Sequence, residues 1–448
     1  MVGYRPPLEG YGAAYELGEA RQSASAEKAW NSDLIRAQIG SLSIINICLM
    51  VCSDREESTS MNILMFCYEY PPIGGGGGVG AQQYAQAFVR KGHRVTMITS
   101  RAKGLPARED VRGVEVIRVM APGRKDRATA TFVSMLAYNV FGLIYLIARL
   151  RTLKKYNVIN THFSIPTGPL SHFASWLLGI PNVLTIIGGD IYDPSKRFSP
   201  HRWRLFRMIN RKLINEADRV VAISTDTKKR AEEYYQIERP IQVIIHGFSP
   251  QLIEEVAAPP MSLASGHFHL VALGRLVPRK GFEYLLRAMA QLPEDVEVWI
   301  IGDGPLYGPL TQLAKELGVA ARAHILGYQS RANIDYYLKH SNVFVLSSLH
   351  EGLGIVVQEA MYAGLPVVAT DHGGQVDLIY PRRNGLLVPI ENSLALAKAI
   401  RQLRHQPELA GAMAEHNRED IAKLYIDVNC RQYLELFDEL TREPRRDN

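Results

Sequence analysis

The chain has 448 residues, of which 47% are hydrophobic and 21% charged, and its formal net charge is +6. This length exceeds one ordinary core and suits two α/β domains, and the composition excludes a disordered chain. The modest positive charge fits anionic substrates or an acidic membrane surface without requiring either. Four scattered cysteines and the lack of a His/Cys zinc spacing indicate free thiols in a reducing cytoplasm.

Residues 1–60 differ from the rest of the chain. They show no periodic pattern and end in a polar run, after which Met61 opens a compact apolar strand. We therefore expect 1–60 to be a weakly ordered extension that the fold does not need. The methionine at this boundary is a candidate start of the functional chain.

From residue 61 to residue 250, strand and helix patterns alternate, which is typical of a parallel sheet with helices on both faces. A strand over 62–67 runs into a glycine-rich loop at 74–80 and a helix over 81–90. The other strands of this first domain are predicted over 94–99, 114–119, 158–162, 183–187, 220–223 and 241–245.

A linker is predicted over 251–268, and a second alternating series over 269–425. Its strands are predicted over 269–273, 296–301, 324–326, 343–346, 367–369 and 385–388. Residues 426–448 contain an amphipathic helix that we expect to pack back toward the first domain. Two such doubly wound domains imply a cleft between them, with ligands beyond the carboxyl ends of the strands.

One apolar stretch, from Phe132 to Leu150, is followed by a cluster of basic residues. At about 17 apolar-rich residues it lies at the lower limit for a membrane span. A helix packed on the sheet is the interpretation that the surrounding pattern favours. A helix lying at the membrane interface, with its basic end toward anionic headgroups, and a true span are the alternatives.

The glycine run after the first strand, Gly74 to Gly80, allows close approach of the backbone to a ligand. Free N–H groups at the start of a helix attract anions. A dinucleotide site is the first rival, but it needs a tight turn directly after the strand and a carboxylate about twenty residues on. Six residues separate Cys67 from Gly74, and the second strand ends without a carboxylate. The run alone therefore predicts either a phosphate site or a mobile turn.

Two motifs in the second domain are more specific. Arg275 and Lys280 stand five residues apart on a loop that enters a helix, where they can hold two phosphates from two sides. Glu351 precedes a glycine turn, and Glu359 lies on roughly the same side of the following helix, so both can reach one extended ligand.

Together these motifs resemble the family-four retaining glycosyltransferases, whose GT-B fold has two facing Rossmann-like domains. The resemblance rests on the stretch from Gly274 to Gly281, on Gly302–Pro305, on Gly327–Tyr328 and on the Glu–seven–Glu element. It extends over nearly everything from Met61 to the end. The extension before Met61 departs from the family.

The resemblance implies roles for individual residues. Arg275 and Lys280 match residues that bind the donor diphosphate, Glu351 matches the residue that contacts the transferred sugar, and Glu359 matches the one that takes the ribose hydroxyls. The implied donor site comprises Gly77, Gly78, Arg275, Lys280, Gly304, Tyr328, Glu351, Gly352, Leu353, Gly354 and Glu359. The implied catalytic residues are His162, Arg275, Lys280 and Glu351.

Two first-domain residues complete this set. His162 ends a strand and matches the family histidine near the sugar, although a merely hydrogen-bonded histidine fits the position too. Asp190, in a Gly-Gly-Asp loop, resembles the acceptor-side loop and is a candidate acceptor-binding residue. No cofactor is expected, because the donor, a sugar linked to UDP or GDP, is a co-substrate. No metal site is expected either, because no Asp-x-Asp-type cluster is placed to hold a divalent cation on the diphosphate.

A basic segment in the first domain fits either a solvated helix face or docking to anionic lipid or a phosphorylated acceptor. Its members are Lys196, Arg197, Arg202, Arg204, Arg207, Arg211 and Lys212. Nucleic acid is not expected as a partner, because aromatic interleaving is sparse.

The sequence thus predicts a retaining, metal-independent glycosyltransferase that moves a sugar from a nucleotide sugar to a glycan, lipid-linked or small-molecule acceptor. It would work in the cytoplasm or at the cytoplasmic face of the membrane. A non-catalytic nucleotide-sugar-binding protein, a sugar-nucleotide epimerase and a nicotinamide-dependent oxidoreductase are the alternatives. The base, the sugar and the acceptor stay open, because base contacts in this fold are largely made by the backbone.

Overall fold

The computed structural model describes residues 60–124, 130–194, 199–250, 261 and 263–442. The predicted extension lies outside these residues except for Ser60. The same holds for most of the predicted linker, for Lys196 and Arg197, and for residues 443–448.

The first sheet of the described chain has eight strands in the order β3-β4-β2-β1-β5-β6-β7-β8, all parallel except β3. The strands are β1 (Asn62–Cys67), β2 (Arg94–Arg101), β3 (Arg108–Val111), β4 (Val114–Met120), β5 (Val158–His162), β6 (Asn182–Ile186), β7 (Arg219–Ala222) and β8 (Ile241–Val243). Strands β1, β5 and β6 are buried along nearly their whole length. Such continuous apolar runs are what a sheet covered on both faces requires.

Strand β3 is the element of this sheet that the sequence did not predict. It pairs antiparallel with β4 across a turn at Arg112 and Gly113, both of which have positive φ (55° and 82°). Two central residues with positive φ are characteristic of a tight hairpin turn. Three of its four residues are charged and none is buried, so β3 carries no apolar signal.

The helices that accompany the first sheet lie on both of its faces. They are α1 (Gly76–Arg90), α2 (Phe132–Ala148), α3 (Leu150–Leu153), α4 (Gly168–Leu178), α5 (Arg204–Glu216) and α6 (Thr225–Tyr235). The run Phe132–Leu150 is therefore a helix packed on the sheet through Tyr138 and Leu146. Within the described residues, no helix is long and apolar enough to cross a bilayer, which contradicts the alternative of a span.

Helix α1 begins inside the glycine run, so the predicted loop over 74–80 is too long. Its glycines are required by close packing. A Cβ on Gly78 would come within 2.6 Å of the Glu69 carbonyl oxygen, and one on Gly80 within 2.4 Å of the His246 ring. The sequence suggested a loop because glycine disfavours a helix interior, and the tertiary contacts override that preference.

Among the described residues, the second sheet has six parallel strands in the order β11-β10-β9-β12-β13-β14. They are β9 (Phe268–Leu273), β10 (Val296–Ile301), β11 (Ala323–Gly327), β12 (Val343–Leu346), β13 (Val367–Thr370) and β14 (Gly385–Val388). The helices are α7 (Phe282–Met289), α8 (Tyr307–Glu316), α9 (Arg331–His340), α10 (Ile355–Tyr362), α11 (Ser393–His405) and α12 (Pro407–Ala422). Alternate residues of β9 enter separate cores on the two faces, as in a doubly wound sheet.

The last helix, α13 (Ile426–Arg442), belongs to the core of the first sheet. Tyr433 packs against Tyr84, with ring centroids 4.7 Å apart, and its hydroxyl lies 3.2 Å from Thr185 Oγ1 on β6. Phe437 is fully buried against Phe88. The chain thus crosses from the first sheet to the second after β8 and returns at Ile426.

Candidate functional site

The loops that follow β9, β10 and β11 are hydrogen-bonded to one another at the carboxyl edge of the second sheet. Gly302 N donates to Gly327 O (2.9 Å), and Gly274 N donates to Ile301 O (3.0 Å). A Cβ on Gly302 would come within 1.9 Å of the Gly274 carbonyl oxygen, so only glycine fits there. This packing places three predicted donor residues, Arg275, Gly304 and Tyr328, on one edge of the sheet. Arg275 and Tyr328 are exposed.

Lys280 and Glu351 form a buried ion pair beneath this edge. Ser348 Oγ donates to Glu351 Oε1 at 2.7 Å, and Arg279 Nη1 lies 3.9 Å from Glu351 Oε2. Burial by itself raises the pKa of Glu351, but the charges of Lys280 and Arg279 outweigh it and bring the pKa below its ordinary value. Glu351 is therefore ionised, and the site holds more positive than negative charge.

The glycine turn after Glu351 directs backbone N–H groups to the same place. Gly354 has φ +87° and precedes the first turn of α10, so free N–H groups lie at the start of that helix. The Leu353 side chain is buried in the core, which leaves its backbone as the part that a ligand can contact.

Glu359, one turn into α10, is paired with a residue that the sequence analysis missed. Arg331 Nη1 lies 2.5 Å from Glu359 Oε1, and Arg331 Nη2 lies 2.7 Å from Asp335 Oδ1. Burial raises the pKa of Glu359 more than the Arg331 guanidinium lowers it. The sequence does contain one sign of Arg331: Asp335 follows four residues later, a spacing at which opposite charges pair on a helix such as α9.

The first domain contributes a second helix N-terminus to the cleft. Gly75 precedes α1, and a Cβ on Gly76 would lie 3.4 Å from the Ile355 side chain at the start of α10. The predicted residues Gly77 and Gly78 are therefore in the first turn of a helix that faces α10. Helix N-termini carry partial positive charge, so an anion between them is favoured from both sides.

Two hydrogen bonds from α6 cross the cleft. Ser224 Oγ donates to the Gly352 carbonyl oxygen at 2.6 Å, and Thr225 N donates to Asp377 Oδ2 at 2.6 Å. A Cβ on Gly352 would come within 2.5 Å of the Ile187 carbonyl oxygen. The predicted Gly352 is therefore held by the first domain, although it belongs to the second.

His162 lies at the carboxyl end of β5 and is almost fully buried. Its Nε2 is 3.0 Å from Asn160 Oδ1, and its Nδ1 has no hydrogen-bond partner among the described residues. Burial, with a smaller effect of His246, lowers the pKa of His162 to about 3. Burial also lowers the pKa of His246 to about 4. Both rings are therefore neutral at pH 7.

Asp190, the candidate acceptor-binding residue, is held by the backbone of two loops of the first domain. The carboxylate is buried and accepts three backbone hydrogen bonds, from Ser164 N (2.7 Å), Ile187 N (3.0 Å) and Gly188 N (2.9 Å). These bonds join the loop after β5 to the loop after β6. Asp190 thus holds the loop after β6 in place from within, and its role as an acceptor-binding residue stays a prediction.

The neutral histidines make stability depend on pH. An unfolded histidine takes up a proton near pH 6.5, whereas the folded rings stay neutral well below that pH, so acid favours the unfolded chain. We expect the free energy of unfolding to fall by about 2 kcal/mol between pH 6.5 and pH 5.5 from this pair. Urea titrations at both values measure it. Ring signals of His162 and His246 that titrate near pH 6.5 in the folded protein would contradict the cause.

The ion pair predicts a coupling between its partners. Lys280→Met leaves the Glu351 carboxylate buried without its ammonium, and we expect a loss of about 3–5 kcal/mol of unfolding free energy. Adding Glu351→Gln should restore most of it, because the double variant buries no lone charge. Urea denaturation of the two single variants and the double variant measures the coupling. Arg287→Met, on an exposed face of α7, is the control, and additive losses would count against the pair.

Known protein families match both halves of the chain. The family described as glycosyl transferases group 1 matches residues 261–420, and the glycosyl transferase 4-like domain matches residues 75–247. A lipopolysaccharide core biosynthesis glycosyltransferase, LpsD of Rhizobium meliloti, is 32% identical over 220 residues. That alignment spans 49% of this chain and 63% of the relative's length.

Solved structures share the architecture. Sucrose-phosphate synthase from Thermosynechococcus elongatus superposes with a TM-score of 0.71 at 22% identity, over 85% of this chain and 99% of its own. Anabaena HepE, solved in complex with UDP and glucose, has a TM-score of 0.65 at 21% identity, over 85% of this chain and 100% of its own. The fold is therefore GT-B, with two Rossmann-like domains. With both halves matched in sequence, the chain belongs to the glycosyltransferases of group 1.

Proposed function

We propose that the protein transfers a sugar from a nucleotide-sugar donor to an acceptor and retains the anomeric configuration of the donor. The proposal rests on one observation: the N-termini of helices α1 and α10 face each other near the buried Lys280. N–H groups and a cation at one point favour an anion such as a diphosphate. The complex of the neighbour HepE with UDP supports a nucleoside diphosphate as that anion.

The donor would lie along the carboxyl edge of the second sheet. Its diphosphate would be held by Arg275, Lys280 and the N–H groups after Gly352, and its base would lie against the loops at Gly304 and Tyr328. Glu359 would accept the ribose hydroxyls, which requires it to share its carboxylate with Arg331. UDP and GDP both fit this description, because the loops present mainly backbone.

Catalysis would consist chiefly of stabilising the departing nucleoside diphosphate. Positive groups that are already in position lower the barrier without reorganising during the reaction. Glu351 is held by Lys280 and Ser348, so it would orient the sugar rather than attack it. The acceptor would enter on the face that the diphosphate leaves, and a donor phosphate oxygen would take its proton.

His162 would act on the sugar as a neutral group. Its Nδ1 is buried and has no partner in the described part of the chain, and a buried nitrogen without a hydrogen bond is costly unless a ligand supplies one. A sugar hydroxyl is a suitable ligand, since it can donate to or accept from a neutral imidazole. The acceptor would be a glycan, a lipid-linked sugar or a small molecule bound on the first-domain side.

Two other functions fit the same fold. A protein that only binds nucleotide sugars would show no turnover, and a sugar-nucleotide epimerase would release no nucleoside diphosphate in steady state. Release of the nucleotide, measured with donor and acceptor together, distinguishes transfer from both.

Arg275 provides the cleanest test of the phosphate site, because it is exposed and its removal leaves no buried charge. Loss of a charged contact costs on the order of 1.5–3 kcal/mol, so Arg275→Ala should weaken nucleoside diphosphate binding roughly tenfold to more than a hundredfold. Calorimetric titration with UDP and with GDP measures this. Arg287→Ala, another exposed arginine of the second domain, is the matched control. Equal affinities in the two variants would place the nucleotide elsewhere.

The second test is stereochemical. If the enzyme retains the configuration of the donor, transfer from an α-linked donor should give an α-linked product. Because Arg275 and Lys280 would balance the charge of the leaving group, the reaction should also persist in excess chelator. Proton NMR of the first product formed, with chelator present, reports on both. A β-linked product would refute retention, whereas an α-linked product that forms only without chelator would refute the account of the phosphates alone.

A further inference from the structure

Helix α2 has an unusual surface. None of its 17 residues is charged, and one stripe of apolar side chains points away from the sheet. The stripe consists of Phe132, Val133, Leu136, Val140, Ile144 and Ile147, which are 48–66% exposed. A helix that is apolar on all sides is normally covered on all sides, so this stripe needs an apolar occupant.

The stripe continues onto two neighbouring helices. A Cβ on Gly142 of α2 would come within 2.3 Å of Leu170 on α4, and Asn139 Nδ2 donates to the Pro166 carbonyl before α4. The rings of Phe132 and Phe206 join the start of α2 to α5. These helices add further exposed apolar residues to the surface, namely Trp176, Trp203, Leu205 and Met208.

Basic residues surround this surface. Residues 132–155, 168–178 and 202–216 contain nine lysines or arginines and one acid, Glu216, which is paired with His172 (3.0 Å) and Lys212 (3.8 Å). A second acid, Glu238, lies outside these ranges and is paired with Arg211 (3.1 Å). The nine are Arg149, Arg151, Lys154, Lys155, Arg202, Arg204, Arg207, Arg211 and Lys212, and all are exposed. On α5 they alternate with exposed Leu205 and Met208, so apolar and basic groups share one face.

A groove of about 600 Å³ runs along the other flank of α2, between that helix and β4. Its apolar wall includes Phe141 and Ile144 of the helix, and its border includes Arg149 and Lys155, next to an ion pair of Arg108 with Glu115. Apolar walls next to cationic groups suit an amphiphile with an anionic head.

We propose that the face formed by α2, α4 and α5 docks the protein on a bilayer surface that contains anionic lipids. Apolar side chains enter the boundary between headgroups and acyl chains, the two tryptophans lie at headgroup level, and the basic residues contact lipid phosphates. A second copy of the chain fits the face less well, because a symmetric contact would bring two sets of nine cations together.

This docking also orients the cleft. Helices α2, α4 and α5 follow strands β4, β5 and β6, so all three begin at the carboxyl edge of the first sheet. That edge carries His162 and the loop shaped by Asp190. A membrane against the helices therefore lies next to the acceptor side of the cleft, where the head of a lipid-linked acceptor can reach it.

Flotation of the full chain with vesicles tests the proposal. The protein should float with vesicles of phosphatidylcholine that contain about one third phosphatidylglycerol, far less with phosphatidylcholine alone, and little in about 0.5 M salt. Val140→Ser with Ile144→Ser should lower the partition coefficient about tenfold or more. Arg207→Glu with Lys212→Glu should lower it by a similar factor on anionic vesicles only.

Leu394→Ser with Val428→Ser removes two exposed apolar residues outside this face and is the matched control. This variant is expected to bind within about twofold of the unsubstituted chain. Failure of the unsubstituted chain to float, or full binding of the α2 variant, would overturn the proposal. A dimer in light scattering that the α2 variant dissociates would show instead that copies of the chain cover the face. Titration with UDP is independent of flotation, so either proposal can fail while the other stands.

Discussion

The ion pair of Lys280 with Glu351 connects the loop after β9 to the loop after β12, two neighbouring strands of the second sheet. Glu351 must stay ionised for this pair to hold, and the charges of Lys280 and Arg279 keep it so despite its burial. The position of Glu351 then determines that of Gly352, whose carbonyl accepts the hydrogen bond from Ser224 of the other domain. The ion pair of the second domain thus also contributes to the geometry between the domains.

Much of this fold was predictable because buried parallel strands are short apolar runs. Strand β1 over 62–67 and strand β12 over 343–346 coincide with their predictions for that reason. Strand β3 was missed because its stability comes from the neighbouring β4 and a hairpin turn, not from its own apolar residues. The start of α1 among glycines was missed because the reason for those glycines, contact with Glu69 and His246, is tertiary.

The residues of the site likewise fall into those that the sequence predicts and those that it does not. Lys280 and Glu351 lie in motifs with recognisable spacing, and the structure brings them into contact. Arg331, the partner of Glu359, and Ser224, the partner of Gly352, belong to segments far away in sequence. No local sequence pattern indicates such partners. The backbone donors of Asp190 are a further example, since one of them comes from Ser164 in another loop.

Helix α13 has a consequence for folding during synthesis. The first sheet is complete in sequence at β8, yet Tyr433 and Phe437 of its core come from the last helix. A ribosome that has finished β8 must therefore make the entire second domain before the first can close its core. During that interval Phe88 and Tyr84 lack the rings of Tyr433 and Phe437, so part of the apolar core of the nascent first domain stays uncovered. The first domain is synthesised first, but its core is completed only when α13 has been made.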